Sequence, residues 1–146
     1  MSRTLGVPEV GRFSVDFEVA NNDDLAAVRL GVLTPDKVRR VTIKGVVDSD
    51  AARFVLPGAI VKQLGLPPAR KVKVRYADGR SAVRNTAEGA RVSILGREDT
   101  FTAVVEPKRE TALIGAIVLE ELDLLADCTH HRLVPRDPRY QIAEIE

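Results

Sequence analysis

The chain has 146 residues and a formal net charge of +1, from 22 Lys and Arg residues against 21 Asp and Glu residues. This length predicts a single domain with its own hydrophobic core. The near-neutral charge argues against a general nucleic-acid-binding protein. Hydrophobic residues reach 45%, yet no apolar run approaches the roughly 20 residues that span a bilayer, so no membrane association is expected.

The cysteine content and the N-terminal residues favour an intracellular protein. Cys128 is the only cysteine and can form no disulfide within the chain, which fits a reducing compartment. Residues 1–8 contain no apolar signal-peptide core, so we expect the protein to be cytoplasmic. We interpret residues 1–10 as an N-terminal extension that precedes the domain.

Short apolar runs bounded by turn residues dominate the first third of the chain. Residues 12–19 alternate between apolar and polar side chains, as expected for a strand with one buried face. The polar run at residues 21–24 should end this strand. Residues 25–33 fit either a strand or a short helix, and residues 38–47 indicate a second strand with a buried apolar end.

Two segments indicate short helices. In residues 56–65, Pro57 suits the first helical position and Gly65 suits the C-terminal cap. Residues 116–122 form the second predicted helix.

Hairpin signals occupy the rest of the chain. Residues 71–84 alternate on either side of Asp78-Gly79, which is a strong signal for a hairpin turn. Further strands are expected at residues 90–95, 100–105, 124–127 and 131–135. Six to eight strands with two short helices predict a mostly β barrel or sandwich.

The end of the second predicted strand carries the strongest candidate for chemistry. The apolar residues Val46 and Val47 are followed by Asp48 and Ser49, which are expected to begin a turn. A carboxylate in this position is costly unless it has hydrogen bonds or shares a proton, and such a setting permits acid–base catalysis. Taken alone, Asp48-Ser49-Asp50 is most often an ordinary turn, because Asp and Ser both favour turns.

Several segments, in this order, resemble the signatures of the retropepsin-like aspartic proteases. They are Val47-Asp48-Ser49-Asp50-Ala51, Val55-Leu56-Pro57, Leu64-Gly65-Leu66, Tyr76-Ala77-Asp78-Gly79, Ala112-Leu113-Ile114-Gly115, and the pair 124–127 and 132–135. Each segment alone is weak, but their order and spacing together are specific. The resemblance defines a domain at residues 11–135 and leaves a C-terminal tail at residues 136–146.

The resemblance implies an all-β fold, a small closed barrel with a flap hairpin and one or two short helices. It also implies a homodimer, since a chain with one motif supplies one aspartate. Asp48 is then the catalytic residue of an endopeptidase, Ser49 hydrogen-bonds across the dimer, and residues 76–80 fold over a peptide or protein substrate. No cofactor is implied, and the tail at residues 136–146 could pair between subunits.

The third position of the first signature departs from the family's pattern. Glycine is expected there, whereas Asp50 adds a side chain and a second negative charge near the catalytic pair. Three outcomes stay open: the charge shifts the working pH upward, Asp50 points away without effect, or catalysis is lost and the fold serves peptide binding. A further alternative is a structural β-domain in which Asp48 only caps a turn.

Residues 128–131, Cys-Thr-His-His, suggest a metal site only at first sight. The potential ligands are closer in sequence than those of usual zinc sites, and the sequence has no second cluster. We therefore interpret this segment as a polar hairpin turn and expect no bound metal.

Overall fold

The computed structural model describes residues 12–146, and the N-terminal extension predicted at residues 1–10 lies outside this part of the chain. The strands are β1 (Arg12–Asn21), β2 (Arg40–Asp48), β3 (Phe54–Pro57), β4 (Val72–Arg75), β5 (Ser81–Arg84), β6 (Thr86–Ile94), β7 (Arg97–Glu106), β8 (Ala112–Ile114), β9 (Leu124–Asp127) and β10 (Arg132–Pro135). The α-helices are α1 (Asn22–Arg29), α2 (Gly58–Leu64) and α3 (Ala116–Leu122), and a short 3₁₀ helix covers Pro35–Lys37.

Six of the strands close into a barrel in the order β1-β2-β8-β3-β7-β6. Strand β8 lies between β2 and β3, parallel to β2 and antiparallel to β3. Strands β4 and β5 form a separate hairpin, and β9 and β10 form another. The closed barrel and the hairpin at residues 72–84 confirm the predicted all-β class.

The barrel interior is apolar and contains a row of aromatic rings. On β1, Phe13, Phe17 and Val19 are buried, as the alternating sequence predicted. The Phe17 and Phe54 rings meet edge to face with centroids 6.2 Å apart, and the centroid of Phe101 lies 6.0 Å from that of Phe54. Such close packing makes the barrel a rigid platform for the loops at its ends.

The described residues contain more strands than the predicted six to eight, because the local pattern does not indicate the two very short strands β3 and β8. They have four and three residues, and their partners are far away in sequence, at β7 for β3 and at β2 for β8. Leu56 and Pro57 belong to β3 because Pro57 pairs with Glu106, so α2 begins at Gly58 and not at Leu56. Gly65 caps α2 in a left-handed conformation, as predicted.

Residues 12–146 contain three α-helices where one or two were expected, and the additional one is α1. The run at residues 21–24 does more than end β1, because the Asn21 side chain accepts a hydrogen bond from the Asp24 amide at 3.0 Å and caps the new helix. Helix α1 ends at Arg29, which resolves the ambiguous segment at residues 25–33 into a helix and a following loop.

A carboxylate–guanidinium pair fixes the loop that follows α1. Arg39 donates to Asp24 from Nε, from Nη2 and from its backbone amide, each at 2.9 Å. The Arg39 side-chain hydrogen bonds lower the pKa of Asp24. Asp24 is therefore ionised in the folded protein at pH values at which the same carboxyl group is already protonated in the unfolded chain.

Replacing Asp24 with asparagine is expected to destabilise the fold at neutral pH by about 1 to 2 kcal/mol, because the charged partner of Arg39 is lost. The pKa of Asp24 in the folded protein lies below its unfolded value of about 3.9. The extra stability of the wild-type protein is therefore present above that pH and disappears as the pH falls through the folded pKa. Urea unfolding of both proteins at neutral and acid pH measures this. The exposed neighbour variant Asp23→Asn should change stability little at either pH, and a constant Asp24→Asn penalty down to acid pH would contradict the assignment.

Candidate active site

Asp48 is the last residue of β2, at one end of the barrel. Arg12 pairs with it in register across β1, and the Arg12 Nε atom lies 3.4 Å from Asp48 Oδ2. The Asp48 side chain is 18% exposed, so the carboxylate is shielded and still reachable from solvent. The neighbouring cation offsets part of the cost of partly burying this charge.

The residues after Asp48 form a tight turn. The Asp50 amide donates to Asp48 Oδ1 at 3.1 Å, and the Ala51 amide donates to the Asp48 carbonyl at 3.1 Å. Ser49 and Asp50 are both exposed. Asp48 therefore does cap a turn, and the same hydrogen bond fixes the direction of its carboxylate.

The second predicted signature lies directly beside this turn. Residues 113–114 of β8 pair in parallel with the apolar residues of β2 that precede Asp48. At the start of α3, the Ala116 amide donates to the Ala51 carbonyl at 2.7 Å, and the Ile117 amide donates to the Ala52 carbonyl at 3.1 Å. The two segments are more than sixty positions apart in sequence, and the barrel topology joins them into one unit.

Gly115 is the point at which the two segments approach most closely. A Cβ atom at this position would lie 2.3 Å from the Arg53 carbonyl oxygen and 2.7 Å from the Ala51 carbonyl oxygen. Its φ of −92° is open to any residue, so space and not backbone conformation demands glycine here. The backbone after Asp48 can cross over β8 only because this side chain is missing.

The hairpin predicted at residues 71–84, which the resemblance assigns to the family's flap, is present as the β4–β5 hairpin, called the flap hairpin below. The Tyr76 amide donates to the Arg80 carbonyl at 2.8 Å, and Gly79 takes the left-handed conformation that closes the turn, with φ +89°. Ala77, Asp78 and Gly79 are exposed at the tip. Between described residues, no hydrogen bond joins this tip to the loop of Asp48.

The base of the turn is held against β7 by Tyr76, Arg84 and Glu106, called the flap anchor below. Tyr76 OH donates to Glu106 Oε2 at 2.6 Å, and Arg84 Nε donates to Glu106 Oε1 at 2.7 Å. The hydrogen bond to Glu106 raises the pKa of the Tyr76 phenol, because the neighbouring carboxylate opposes a second negative charge. Sequence reasoning found Tyr76 but missed Glu106, since the contact depends on how the hairpin folds onto β7.

The flap anchor predicts an elevated phenol titration that depends on Glu106. In a Tyr140→Phe background, Tyr76 is the only tyrosine, and its phenolate absorbance should appear above the ordinary pKa of about 10. Adding Glu106→Gln should move this titration downward, because the carboxylate is removed. The exposed neighbour change Glu110→Gln should leave it in place, and an equal shift in both variants would argue against the contact.

The segment with Cys128 and the two histidines does not assemble as a ligand set. His130 Nδ1 lies 2.8 Å from Asp127 Oδ2, whereas the His131 ring stacks on Phe13 with centroids 6.0 Å apart. Among residues 12–146, no group of three or more His, Cys, Asp or Glu side chains is placed to hold a metal ion. The helices of the same residues are also too short to cross a membrane.

The C-terminal tail, residues 136–146, forms no strand and folds back onto the end of α3. The Ile142 amide donates to Asp123 Oδ2 at 2.8 Å, and Arg136 Nε lies 2.7 Å from Asp123 Oδ1. Tyr140 is 70% exposed and Ile145 is 90% exposed. Pairing of this tail between subunits stays a prediction, as does the domain boundary near residue 135.

The closed barrel, the aspartate loop packed over a glycine and the flap hairpin together define the retropepsin-like aspartic protease fold. It is shared by solved structures that include the following two. The EIAV protease in complex with an inhibitor aligns with a TM-score of 0.52 and 14% identity, covering 84% of this chain and 94% of that chain. The retroviral protease-like domain of Ddi1 from Leishmania major aligns with a TM-score of 0.51 and 16% identity, covering 88% and 91%. No family model and no curated protein matches this sequence.

Proposed function

We propose that this protein is a homodimeric aspartic endopeptidase in which Asp48 of each chain supplies one half of the catalytic pair. The observation that carries the proposal is the partly buried Asp48 at a strand end, in a loop packed over Gly115 within this fold. The chain contains one such aspartate, so the second must come from another copy.

The hairpin of β9 and β10 supports assembly with a second copy. Within the described residues these strands pair only with each other, so they keep free edges that a partner strand can extend. Leu125 on β9 is 49% exposed and would be covered by such a partner. Ser49 is exposed in the loop next to Asp48, where it can hydrogen-bond to the loop of the partner chain.

The chemistry follows from two carboxyl groups held about 3 Å apart, which cannot both ionise and therefore share a proton. The ionised Asp48 accepts a proton from a water molecule as the water oxygen bonds to the peptide carbonyl carbon. The protonated Asp48 donates a hydrogen bond and then its proton to the carbonyl oxygen. The tetrahedral intermediate collapses when the C–N bond breaks: the Asp48 that took the water proton passes it to the leaving nitrogen, and a hydroxyl of the intermediate returns a proton to the other Asp48.

The flap hairpin would hold the substrate and exclude bulk water. An extended peptide can pair with strand edges through main-chain hydrogen bonds, which makes the substrate class peptides and proteins. The flap anchor at Glu106 fixes the base of the hairpin, so the exposed tip at residues 77–79 is the part that can move onto a bound peptide.

A peptide-binding module without catalysis is the second candidate, and Asp50 in place of glycine is the observation that favours it. Asp50 is exposed, and its amide donates to Asp48, a bond that glycine could also make. We therefore expect Asp50→Gly to change the cleavage rate by no more than about tenfold and to lower the optimal pH, because one negative charge leaves the site. Cleavage that appears only in Asp50→Gly would make the natural protein the binding module.

The proposal is tested by incubating the wild-type protein with a mixed peptide library from about pH 4 to about pH 8 and identifying products by mass spectrometry. Internal peptide bonds should be cut, and the rate per chain should fall on dilution as the dimer dissociates. Sedimentation over the same concentrations locates that dissociation. A contaminating protease would keep a constant specific activity, whereas a dimeric protein that cuts no peptide would refute the endopeptidase.

A further inference from the structure

Building on the proposed function, we infer that Arg109 places a positive charge at one end of the substrate cleft and favours peptides with an acidic side chain close to the scissile bond. Arg109 lies in the segment at residues 107–111, which connects β7 to β8. This segment begins at the flap anchor and ends beside the strand that carries Asp48. One end of the segment is therefore next to the flap anchor, and the other end joins the strand that pairs with β2.

The position of Arg109 is fixed by local contacts. Its amide donates to the Glu106 carbonyl at 3.3 Å, and its Nε donates to the Thr111 carbonyl at 2.7 Å. The segment also rests on the start of α2, where a Cβ on Gly58 would lie 3.2 Å from Pro107 Cα. Arg109 is thus a half-buried side chain in a constrained loop and differs from the exposed lysine before it.

Two charged residues, Arg12 and Glu106, act on Arg109. Burial and the positive charge of Arg12 lower the pKa of Arg109, and the charge of Glu106 acts in the opposite direction. Arg12 is the residue beside Asp48, and Glu106 is the residue that holds Tyr76 of the flap hairpin. Arg109 therefore interacts electrostatically with Arg12 at the Asp48 end and with Glu106 at the flap end of the proposed cleft.

Within the described residues, no carboxylate forms an ion pair with Arg109, and the Glu106 oxygens bind Tyr76 and Arg84. A partly desolvated guanidinium near a second cation is stabilised more by an incoming anion than a fully solvated guanidinium is. A substrate carboxylate at the Arg109 end of the cleft meets this need. The flat guanidinium also binds a carboxylate in a defined orientation.

The test compares peptides that differ only by Glu or Gln at positions within four residues of the cut bond. At low ionic strength, wild-type protein should cleave the Glu peptide with a kcat/KM about tenfold higher at one of these positions, equivalent to about 1.4 kcal/mol. Added salt should reduce the ratio. Arg109→Gln should abolish it, Arg109→Lys should restore part of it, and Arg109→Glu should favour a Lys peptide. Lys108→Gln is the matched control and should leave the ratio unchanged.

The same peptides are then bound, without cleavage, to the Asp48→Asn protein and measured by fluorescence anisotropy. If no peptide is cut by the wild-type protein, the endopeptidase fails, and a Glu preference in binding still supports the role of Arg109. If peptides are cut or bound with no Glu preference, the inference is wrong and the proposed function stands separately. Equal loss of preference in Lys108→Gln and Arg109→Gln would also overturn it.

Discussion

Replacing Asp48 with asparagine is expected to reduce peptide cleavage by at least about a thousandfold, because an amide can neither accept nor donate the proton that hydrolysis requires. The fold should tolerate the change. The asparagine side chain would keep an oxygen able to accept the Asp50 amide hydrogen bond, and the ion pair with Arg12 is partly exposed. Initial rates with a fluorogenic peptide, beside urea unfolding of both proteins, measure the two effects separately.

The matched control is Asp16→Asn, an exposed aspartate on β1 whose side chain is 71% exposed. It should keep wild-type activity. Mixing equal amounts of wild-type and Asp48→Asn protein provides a sharper test, because each mixed dimer contains only one Asp48 side chain and so lacks the catalytic pair. After exchange, activity per wild-type chain should fall to about half, as random pairing of two chains requires. Activity that stays proportional to wild-type chains would mean that Asp48 does not work as a pair.

Local sequence patterns were sufficient for the parts of the molecule that local chemistry determines. The apolar run before Asp48 and the turn residues after it predicted a strand end with a carboxylate, and Asp78-Gly79 predicted the flap turn. Gly115 is different, because the family resemblance predicted it and contacts with the distant residues Ala51 and Arg53 demand glycine there. At the strand end and the hairpin turn a few neighbouring residues decide the backbone, so a linear pattern is informative.

The contacts that sequence reasoning missed are those that depend on chain topology. Arg12 reaches Asp48 because β1 pairs with β2 over its whole length, and Glu106 reaches Tyr76 because the flap hairpin folds onto β7. Both are ordinary charged residues at strand ends, which usually face solvent. Helix α1 was ambiguous for a different reason: Asn21 ends one element and caps the next, and both roles favour the same residue type.

Replacing Gly115 with alanine is expected to destabilise the protein by about 3 kcal/mol or more, an unusually large effect for one methyl group. The added Cβ would lie 2.3 Å from the Arg53 carbonyl oxygen, and this neighbour is backbone and cannot rotate away. Relief requires the loop after Asp48 to lift from β8. That movement would lengthen the hydrogen bonds from the start of α3 to Ala51 and Ala52.

Gly58→Ala provides the matched control, since it makes the same change at a site where the new Cβ would lie 3.2 Å from Pro107 Cα. Its effect on the free energy of unfolding should stay below about 1 kcal/mol, because a small shift suffices and alanine favours the helix that begins there. Urea unfolding measures both variants. If Gly115→Ala is as stable as Gly58→Ala, the backbone crossing is looser than described. Asp48 would then lack the rigid support that places two carboxylates within reach of one water molecule.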